Sequence, residues 1–214
     1  MSLLQRAILS RRVGRLVLEQ VGGIELIVLP DVFNPAVFRT SALLVDAVAA
    51  HAAAGMRVLD VGTGTGVAAV RAADADALVT AVDINPEAVR CARINALLNH
   101  VDDRVDVRQG DLFGPVDGER FDLVVCNPPF FQGTPSSARD IAWRSENFIG
   151  GFCHGLDGVL AARGHALIVF SSHADEPGLL RTLRAAGWEV LAERTRDFRN
   201  EIITVYRVTR RANT

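Results

Sequence analysis

Short apolar runs and segments with helical spacing alternate along the chain from residue 57 onward. The apolar runs have strand length and lie at residues 57–61, 78–82, 105–108, 121–126 and 166–170. Apolar positions with helical spacing occupy residues 67–73, 86–99, 141–161 and 177–186. This alternation predicts a mostly parallel sheet with helices on both faces.

The two ends of the chain depart from this alternation. Residues 2–12 have helical spacing, and apolar runs on either side of Gly22-Gly23 predict a hairpin. Residues 41–54 resume as a helix with Thr40 or Ser41 as its cap. Residues 188–194 and 202–208 are too close for a crossover helix, so they must be antiparallel. We therefore predict an α/β, Rossmann-like, seven-stranded mixed sheet with its last strand antiparallel, preceded by an N-terminal helix and β-hairpin.

Length and composition are those of one globular domain. The chain has 214 residues, of which 49% are hydrophobic and 22% charged. We expect a single domain over residues 1–214, in which residues 1–36 form an N-terminal extension of the core at residues 37–214. The sequence lacks an eighteen-residue apolar run and a secretory signal pattern, so we expect no association with a membrane.

Charge and cysteine usage exclude several classes of protein. A net charge of −2 and a pI near 6.2 lack the basic excess of an obligate nucleic-acid binder, and we interpret the local arginine clusters as solvated surface. Cys91, Cys126 and Cys153 have no paired spacing and are typical of buried thiols in a reducing, cytoplasmic compartment. The five histidines lack ligand spacing, so we expect no metal site.

The predicted strand at residues 121–126 ends in an amide, two prolines and an aromatic ring, Asn127-Pro128-Pro129-Phe130. The prolines fix φ and remove two backbone donors, so they hold the Asn127 side chain and the neighbouring carbonyl rigidly. Asn127 and the Pro128 carbonyl can accept both hydrogens of a planar NH2 group, and Phe130 can stack on its face. The plainer interpretation is a turn that only ends the strand.

Other polar features follow the first three strands of the predicted sheet. A glycine-rich turn, Asp60-Val61-Gly62-Thr63-Gly64-Thr65-Gly66, allows close backbone approach to a ligand. Asp83, nineteen residues after Gly64, can accept hydrogen bonds from both hydroxyls of a ribose. At Asp111-Leu112 a carboxylate can accept from an adenine amine and a backbone N–H can donate to the ring. Because ligands of such sheets bind at the carboxyl ends of the strands, these features predict an adenosine-type cofactor.

The glycine turn narrows the choice of cofactor. A dinucleotide fingerprint has the spacing G-x-G-x-x-G, and counted from Gly62 its third glycine is replaced by Val67. The sequence also lacks the G-x-x-x-x-G-K pattern of a phosphate loop. S-adenosylmethionine has no phosphates and fits better. Its sulfonium methyl is an electrophile toward which Asn127 could aim a nitrogen.

These motifs resemble those of the class I S-adenosylmethionine-dependent methyltransferases, over roughly residues 24–210. The segments VLDVGTGTG, AVDINPEAVRCARINA and QGDLF are similar to the first three motifs of that family. The Asn-Pro-Pro-Phe segment resembles the N-P-P-[YF] branch, which methylates planar amide or base nitrogens. Membership of this branch implies an S-adenosylmethionine-dependent N-methyltransferase.

Two groups within the branch are similar to different parts of the chain. The single-domain release-factor glutamine methyltransferases have a V-[FY]-x-P-A entry and a later Trp, matched here by residues 32–36 and Trp143. The small methyltransferase domain of ribosomal-RNA guanine and transfer-RNA adenine enzymes has N-P-P-F-x-x-G, matched by residues 127–133. The glutamine group usually has Tyr in place of Phe130 and an acidic P-A-E-D entry where this chain has Pro35-Ala36-Val37-Phe38.

The resemblance assigns roles to residues of the motifs. It implies that the cofactor contacts Asp60, Gly62, Thr63, Gly64, Gly66, Asp83, Ile84, Asp111, Leu112 and Asn127. It implies catalytic roles for Asn127, Pro128 and Phe130, and substrate contacts for Asn127, Pro129, Phe130 and Phe131. Thr40 or Ser41 could also line the cofactor cleft, and Phe131 and Trp143 could wall the substrate site. Plainer roles are helix capping for Asp60, Thr40 or Ser41, an exposed turn for Asp111, and core packing for Phe131 and Trp143.

The acceptor of the methyl group stays open among several hypotheses. The first is a protein glutamine, with a translation release factor as the substrate and a small activating partner. The others are a base amine of ribosomal or transfer RNA, a small molecule, and a catalytically idle cofactor-binding scaffold. Weak net acidity favours the protein substrate over RNA. The intact Asn-Pro-Pro-Phe segment argues against the scaffold, which would need only the glycines.

Overall fold

The computed structural model describes residues 14–129, 131–132, 144–145 and 148–211, so the helix predicted at residues 2–12 lies outside the described residues. In chain order its strands are β1 (Val17–Val21), β2 (Ile24–Val28), β3 (Arg57–Val61), β4 (Leu78–Asp83), β5 (Val105–Gln109), β6 (Phe121–Cys126), β7 (Phe131–Gln132), β8 (Arg144–Ser145), β9 (Leu160–Ser171), β10 (Trp188–Asp197) and β11 (Ile202–Arg210). Its helices are α1 (Arg39–His51), α2 (Val67–Ala73), α3 (Pro86–Leu98), α4 (Phe148–Val159) and α5 (Glu176–Ala185), with a 3-10 turn at Gly114–Val116.

Seven of the strands form the central sheet, in the order β10-β11-β9-β6-β3-β4-β5. The strands β3, β4, β5, β6 and β9 are parallel, and β11 runs antiparallel to both β9 and β10. The predicted mixed sheet with a reversed last strand is therefore confirmed, as is the hairpin of β1 and β2. Because the parallel strands end at one edge, the segments that follow β3, β4, β5 and β6 meet there.

Helices cover both faces of this sheet, as the alternating pattern predicts. On one face, α1, α2 and part of α3 bury apolar side chains such as Val48 and Ala69 against the strands. On the other face, α4 and α5 do the same through residues such as Leu156 and Leu183. The hairpin is part of this structure, because Ile24 and Leu26 join the core beneath α1 and α2.

The helix predicted over residues 141–161 is shorter in the structure, and the glycines inside it have a packing role. The helix α4 begins at Phe148. A Cβ atom on Gly151 would lie 2.6 Å from Leu112 Cδ1, and one on Gly155 would lie 2.3 Å from Phe113 Cδ2. One face of α4 therefore has no side chains where the loop after β5 rests against it. A larger residue at Gly151 or Gly155 would prevent this close approach.

Strand β9 begins at Leu160, six residues earlier than the predicted start at residue 166. Its first residues pair irregularly with β6: Leu160 is opposite Phe121, and the register shifts before His165 meets Leu123. Gly164 makes this possible, since a Cβ atom there would lie 2.8 Å from the Phe121 carbonyl oxygen. The sequence pattern did not predict this part of the strand, because it contains Ala161, Ala162 and Gly164, which are weak strand formers.

The prediction that Thr40 or Ser41 caps α1 is wrong. The N-cap residue is Phe38, which makes no side-chain capping bond, and both hydroxyl residues are buried within the first turn. The rings of Phe33 and Phe38 stack with their centroids 4.9 Å apart just before the helix. The chain therefore enters α1 through an aromatic contact instead of a hydroxyl cap.

A single buried amide on α3 joins the hairpin to the glycine turn. Asn95 is fully buried, and its Oδ1 accepts from the Ile27 N–H at 2.8 Å. Its Nδ2 donates to the Ile27 and Thr65 carbonyls, each at 2.8 Å. The side chain thus pairs with β2 as a neighbouring strand would, and it also holds the turn that precedes α2.

We expect Asn95→Ala to lower the free energy of unfolding by about 2 kcal/mol, because it removes the partner of the buried Thr65 carbonyl and of the half-buried Ile27 N–H, and leaves the Ile27 carbonyl, among the described residues, only its bond from the Cys91 thiol. Urea denaturation followed by circular dichroism measures this change. The matched control is Asn99→Ala, which removes a bond to the Glu25 carbonyl at a site that water can reach. An Asn95 variant no less stable than the Asn99 variant would contradict this role.

Candidate functional site

The glycine-rich turn after β3 folds back over the end of β4. The N–H groups of Gly62 and Thr63 both donate to the Val82 carbonyl, at 2.8 and 3.0 Å. Gly62, Gly64 and Gly66 have φ angles of 69°, 56° and 81°, a region that favours glycine. The turn therefore keeps its shape through backbone bonds and positive φ angles.

The glycines of the turn face different surroundings. A Cβ atom on Gly62 or Gly64 would meet no atom within 4 Å in the part of the chain that the structure describes, so the space beside them is open. A Cβ atom on Gly66 would lie 3.1 Å from Ala92 of α3. Gly62 and Gly64 can thus border a ligand, whereas Gly66 has a packing role between α2 and α3.

Asp60 lies at the end of β3 beneath the turn. Its side chain is 4% exposed, and its Oδ2 accepts a hydrogen bond from the Thr63 hydroxyl at 2.6 Å. Burial raises the pKa of Asp60 to about 6, the Thr63 bond opposes that rise, and the nearby charge of Asp83 adds to it. A cation or hydrogen-bond donor placed here would stabilise the carboxylate.

Asp83 closes β4 and links it to the same turn. One carboxylate oxygen accepts from the Gly64 N–H at 2.9 Å, and the other accepts from the Asn85 N–H at 2.9 Å. Burial raises the pKa of Asp83, while these backbone N–H groups oppose the rise. The next residue, Ile84, is 46% exposed, so an apolar surface lies beside the carboxylate. Acid and apolar surface together suit a ribose and an adjoining flat ring.

The loop after β5 lies along the same edge. Asp111 is exposed, and its carbonyl accepts from the Gly114 N–H at 3.0 Å. Leu112 has a φ of 47°, an uncommon value for a leucine, and the loop around it rests on α4. The structure therefore places Asp111 and Leu112 at the predicted edge, without a contact that shows what they bind.

The amide of Asn127 directly follows β6 and is unsatisfied in the described part of the structure. Its Oδ1 is buried and has no hydrogen-bond partner there, and Pro128 beside it is buried too. A buried acceptor without a donor is rare, so this oxygen could accept from a bound molecule or from residues outside the described ones. Phe130 and Trp143 lie outside the described residues, and of Phe131 only the strand backbone is described.

Thr40 carries a second buried oxygen, and the sequence already allowed this residue to line the cofactor cleft. Its Oγ1 has no partner among the described residues, and the residue is 2% exposed. The start of α1 lies at the carboxyl edge of the sheet, because Arg39 packs over Phe198 in the turn between β10 and β11. Thr40 therefore stands at the same edge as Asn127 and can contribute a hydroxyl to a ligand.

Other kinds of site are not seen among the described residues. Their histidines, cysteines and acids form no group that could hold a metal ion, and Cys91, Cys126 and Cys153 are buried free thiols, as predicted. Within the same residues, no helix combines the length and apolarity needed to cross a membrane.

The sequence of this chain was compared with protein families and with individual known proteins. The profile of the methyltransferase small domain matches residues 23–196. A release factor glutamine methyltransferase of Deinococcus radiodurans is 37% identical over 62% of this chain and 51% of its own length. A tRNA1(Val) (adenine(37)-N6)-methyltransferase of Porphyromonas gingivalis is 37% identical over 50% of this chain and 47% of its own. The chain thus spans about half the length of these relatives.

Two further comparisons cover most of the chain. A Methanocaldococcus jannaschii chain, assigned provisionally as a protein N5-glutamine methyltransferase, is 31% identical over 80% of this chain and 88% of its own length. The E. cuniculi Mtq2-Trm112 complex contains a chain that superposes with a TM-score of 0.63 and 20% identity, over 85% of this chain and 99% of that one. The latter likeness shows the fold alone. The glycine turn, the strand-end acids and the family match over residues 23–196 lead to one conclusion: the chain belongs to the methyltransferase small domain family.

Proposed function

We propose that this chain is an S-adenosylmethionine-dependent N-methyltransferase whose acceptor is the side-chain amide of a protein glutamine. The observation that carries the proposal is the buried Asn127 Oδ1, which lacks a hydrogen-bond donor among the described residues. It lies at the carboxyl edge of a parallel sheet, beside a glycine turn bordered by open space. The amide NH2 of a glutamine offers the missing donor.

The residues at this edge fit S-adenosylmethionine in chemistry. Asp83 and Ile84 suit the ribose and the face of the adenine, and Asp111 with Leu112 suits the adenine edge. Asp60 and Thr63, with Gly62 and Gly64 of the turn, suit the methionyl end, where a positive amine would meet the buried Asp60 carboxylate; Gly66 instead lets the turn pack on α3. The unpaired Thr40 hydroxyl is a further candidate at this edge. When bound, the cofactor would supply a methyl group on a positive sulfur.

In the proposed mechanism the protein acts mainly by aligning the glutamine amide nitrogen with the methyl group of the cofactor. Asn127 Oδ1 and the Pro128 carbonyl would each accept one N–H of the glutamine amide, and Pro129, Phe130 and Phe131 would wall the amide plane. Holding two reactants in such a geometry contributes up to about 7–11 kcal/mol to lowering the barrier. The acceptor nitrogen becomes acidic only once it carries the methyl group, so water can remove its proton. We therefore assign no general base.

Two observations favour a glutamine over an RNA base amine. One relative, assigned provisionally as a protein N5-glutamine methyltransferase, matches this chain over 88% of its own length. The net charge of −2 is unlike that of an RNA-binding protein. The second candidate is an RNA base amine, which the transfer-RNA relative and the N-P-P-F-x-x-G segment favour. A translation release factor as substrate, a small activating partner and a cytoplasmic location stay predictions.

The class of acceptor can be tested with tritiated S-adenosylmethionine and a cell extract. We expect labelled macromolecules that survive nuclease, are degraded by protease and release labelled methylamine on acid hydrolysis, because that treatment cleaves an N-methyl amide. An extract without added enzyme is the control. Label removed by nuclease would instead support the RNA base amine.

Cofactor binding should depend on pH through Asp60, whose pKa of about 6 lies above its ordinary value. A positive amine favours the carboxylate, so binding should release a proton, and affinity should rise about tenfold between pH ~5 and ~7. Calorimetry with S-adenosylhomocysteine measures this rise. Asp60→Asn should make the affinity nearly independent of pH, and Asp83→Ala should weaken binding at every pH. The control Asp102→Ala, at an exposed position, should leave both the affinity and its pH dependence unchanged. Affinity that falls with rising pH would contradict the assignment.

Asn127→Ala should lower the single-turnover rate by about 10²–10³ at saturating cofactor, since it removes an acceptor at the reacting centre. The protein acceptor that the labelling identifies serves as substrate in its unmethylated form, and affinity for S-adenosylhomocysteine should change little. Asn127→Asp keeps an oxygen acceptor and should retain part of the rate. Gln20→Ala, at an exposed amide on β1, is the control. If Asn127→Ala transferred methyl like the parent, the segment would only end a strand.

A further inference from the structure

The strand β10 forms one edge of the central sheet, and its second half is exposed. Within the described part of the chain, β10 pairs only with β11, and every residue from Leu191 to Asp197 is exposed. A free edge presents backbone N–H and C=O groups to which another extended chain can pair. This half of the strand also carries Arg194 and Arg196, with Arg199 in the turn that follows.

A bulge directs these arginines to one face of the sheet. The pairing of β10 with β11 shifts between Ala192 and Arg194, which leaves Glu193 as the extra residue. Before the shift Ala192 is opposite Tyr206, and after it Arg194 and Arg196 are opposite Val205 and Ile203. Those two residues belong to the core beneath α1 and α2, whereas Tyr206 packs against the opposite core. Without the bulge, Arg194 and Arg196 would lie on the other face.

The carboxylate of Glu193, the extra residue of the bulge, contacts groups other than these arginines. Its carboxylate contacts His51 Nε2 at 3.1 Å and Arg207 Nε at 3.3 Å. Arg39, on the first turn of α1, reaches the same region, with its guanidinium 4.4 Å from the Phe198 ring centroid. We call Arg39, Arg194, Arg196 and Arg199 the arginine cluster. Within the described residues, none of the four forms an ion pair with a carboxylate.

The arginine cluster lies near the candidate site. Across the sheet, Cys126 is level with Ile168, Ile168 with Tyr206, and Tyr206 with Ala192. Neighbouring strands are ~4.8 Å apart, so a chain paired outside β10 lies roughly 19 Å from β6, whose end carries Asn127. About six extended residues cover that distance. A chain seated on β10 could therefore place one of its own side chains at Asn127.

We propose that the free edge of β10 and the arginine cluster together form a docking surface for an extended acidic segment of the protein substrate. The segment would pair with β10 through its backbone, as an eighth strand, and alternate Glu or Asp side chains would face Arg194 and Arg196. The inference rests on the proposed function only in identifying the bound chain as the one that carries the glutamine.

The described residues favour an acidic peptide over single-stranded RNA on this surface. Proteins that bind single strands stack bases on exposed aromatic rings, and the aromatic ring here, Phe198, is covered by Arg39 and packs against the core. Arginines two residues apart on a strand match the spacing of alternate side chains on a paired strand. The planar guanidinium also suits two-point bonding to a carboxylate.

The test measures binding to the full chain by fluorescence anisotropy. The probe is a labelled peptide of alternating Glu and Thr, about ten residues long. We expect binding that weakens with salt and that falls roughly 3- to 30-fold in the double variant Arg194→Gln, Arg196→Gln, because exposed ion pairs are individually weak. The control variant Arg181→Gln, Arg184→Gln, on the exposed surface of α5, should bind like the parent.

Two further probes test the mode of binding. The same peptide with Gln in place of Glu, and the peptide with alternate backbone nitrogens methylated, should both bind more weakly. The proposal would be overturned if either modified peptide bound as tightly as the Glu-Thr peptide. It would also be overturned if both double variants lost the same amount of peptide affinity. So would tighter binding of an oligouridylate that the Arg194 and Arg196 substitutions abolish, since that would make the surface an RNA site. No methyl transfer is measured, so the result is independent of the Asn127 test.

Discussion

Hydrogen bonds between the turn after β3 and the end of β4 are the contacts on which the candidate site depends. The Val82 carbonyl accepts from Gly62 and Thr63, and the Asp83 carboxylate accepts from Gly64. They bend the chain over the strand ends and bring Asp60 and Asp83 close enough for the charge of one to raise the pKa of the other. The contacts that shape the turn therefore also hold two carboxylates close together, and these carboxylates favour a positive charge or a hydroxyl donor beside them.

Two buried oxygen atoms without partners among the described residues add further places for hydrogen-bond donors along this edge of the sheet. Leaving a buried acceptor unsatisfied costs about 1–3 kcal/mol, and the described residues leave both Asn127 Oδ1 and Thr40 Oγ1 in this state. Asn127 lies at the end of β6, and Thr40 lies at the start of a helix with no acidic residue in its first turn. Bound molecules that donate hydrogen bonds to these two oxygens would offset both costs.

Close packing behind the site holds its loops in place. The buried Asn95 ties the glycine turn to the hairpin, Gly66 lets α2 approach α3, and the bare face of α4 receives Leu112 and Phe113. The bulge at Glu193 acts similarly at the other side of the sheet, where it sets the face on which Arg194 and Arg196 lie. The glycines act by having no side chain, the bulge acts through one extra residue, and Asn95 acts through its buried amide.

The sequence by itself determined the order of strands and helices, the reversed last strand, and the glycine turn with Asp60 and Asp83, because apolar periodicity and glycine spacing are local signals. Only the tertiary structure decided the roles of Asn95, Thr40, Gly151 and Gly155, since their partners are distant along the chain. It also decided that Phe38, and not Thr40 or Ser41, is the N-cap residue of α1. A sequence pattern shows which residues share a face, but satisfaction of a buried amide or hydroxyl depends on atoms that only folding brings within reach.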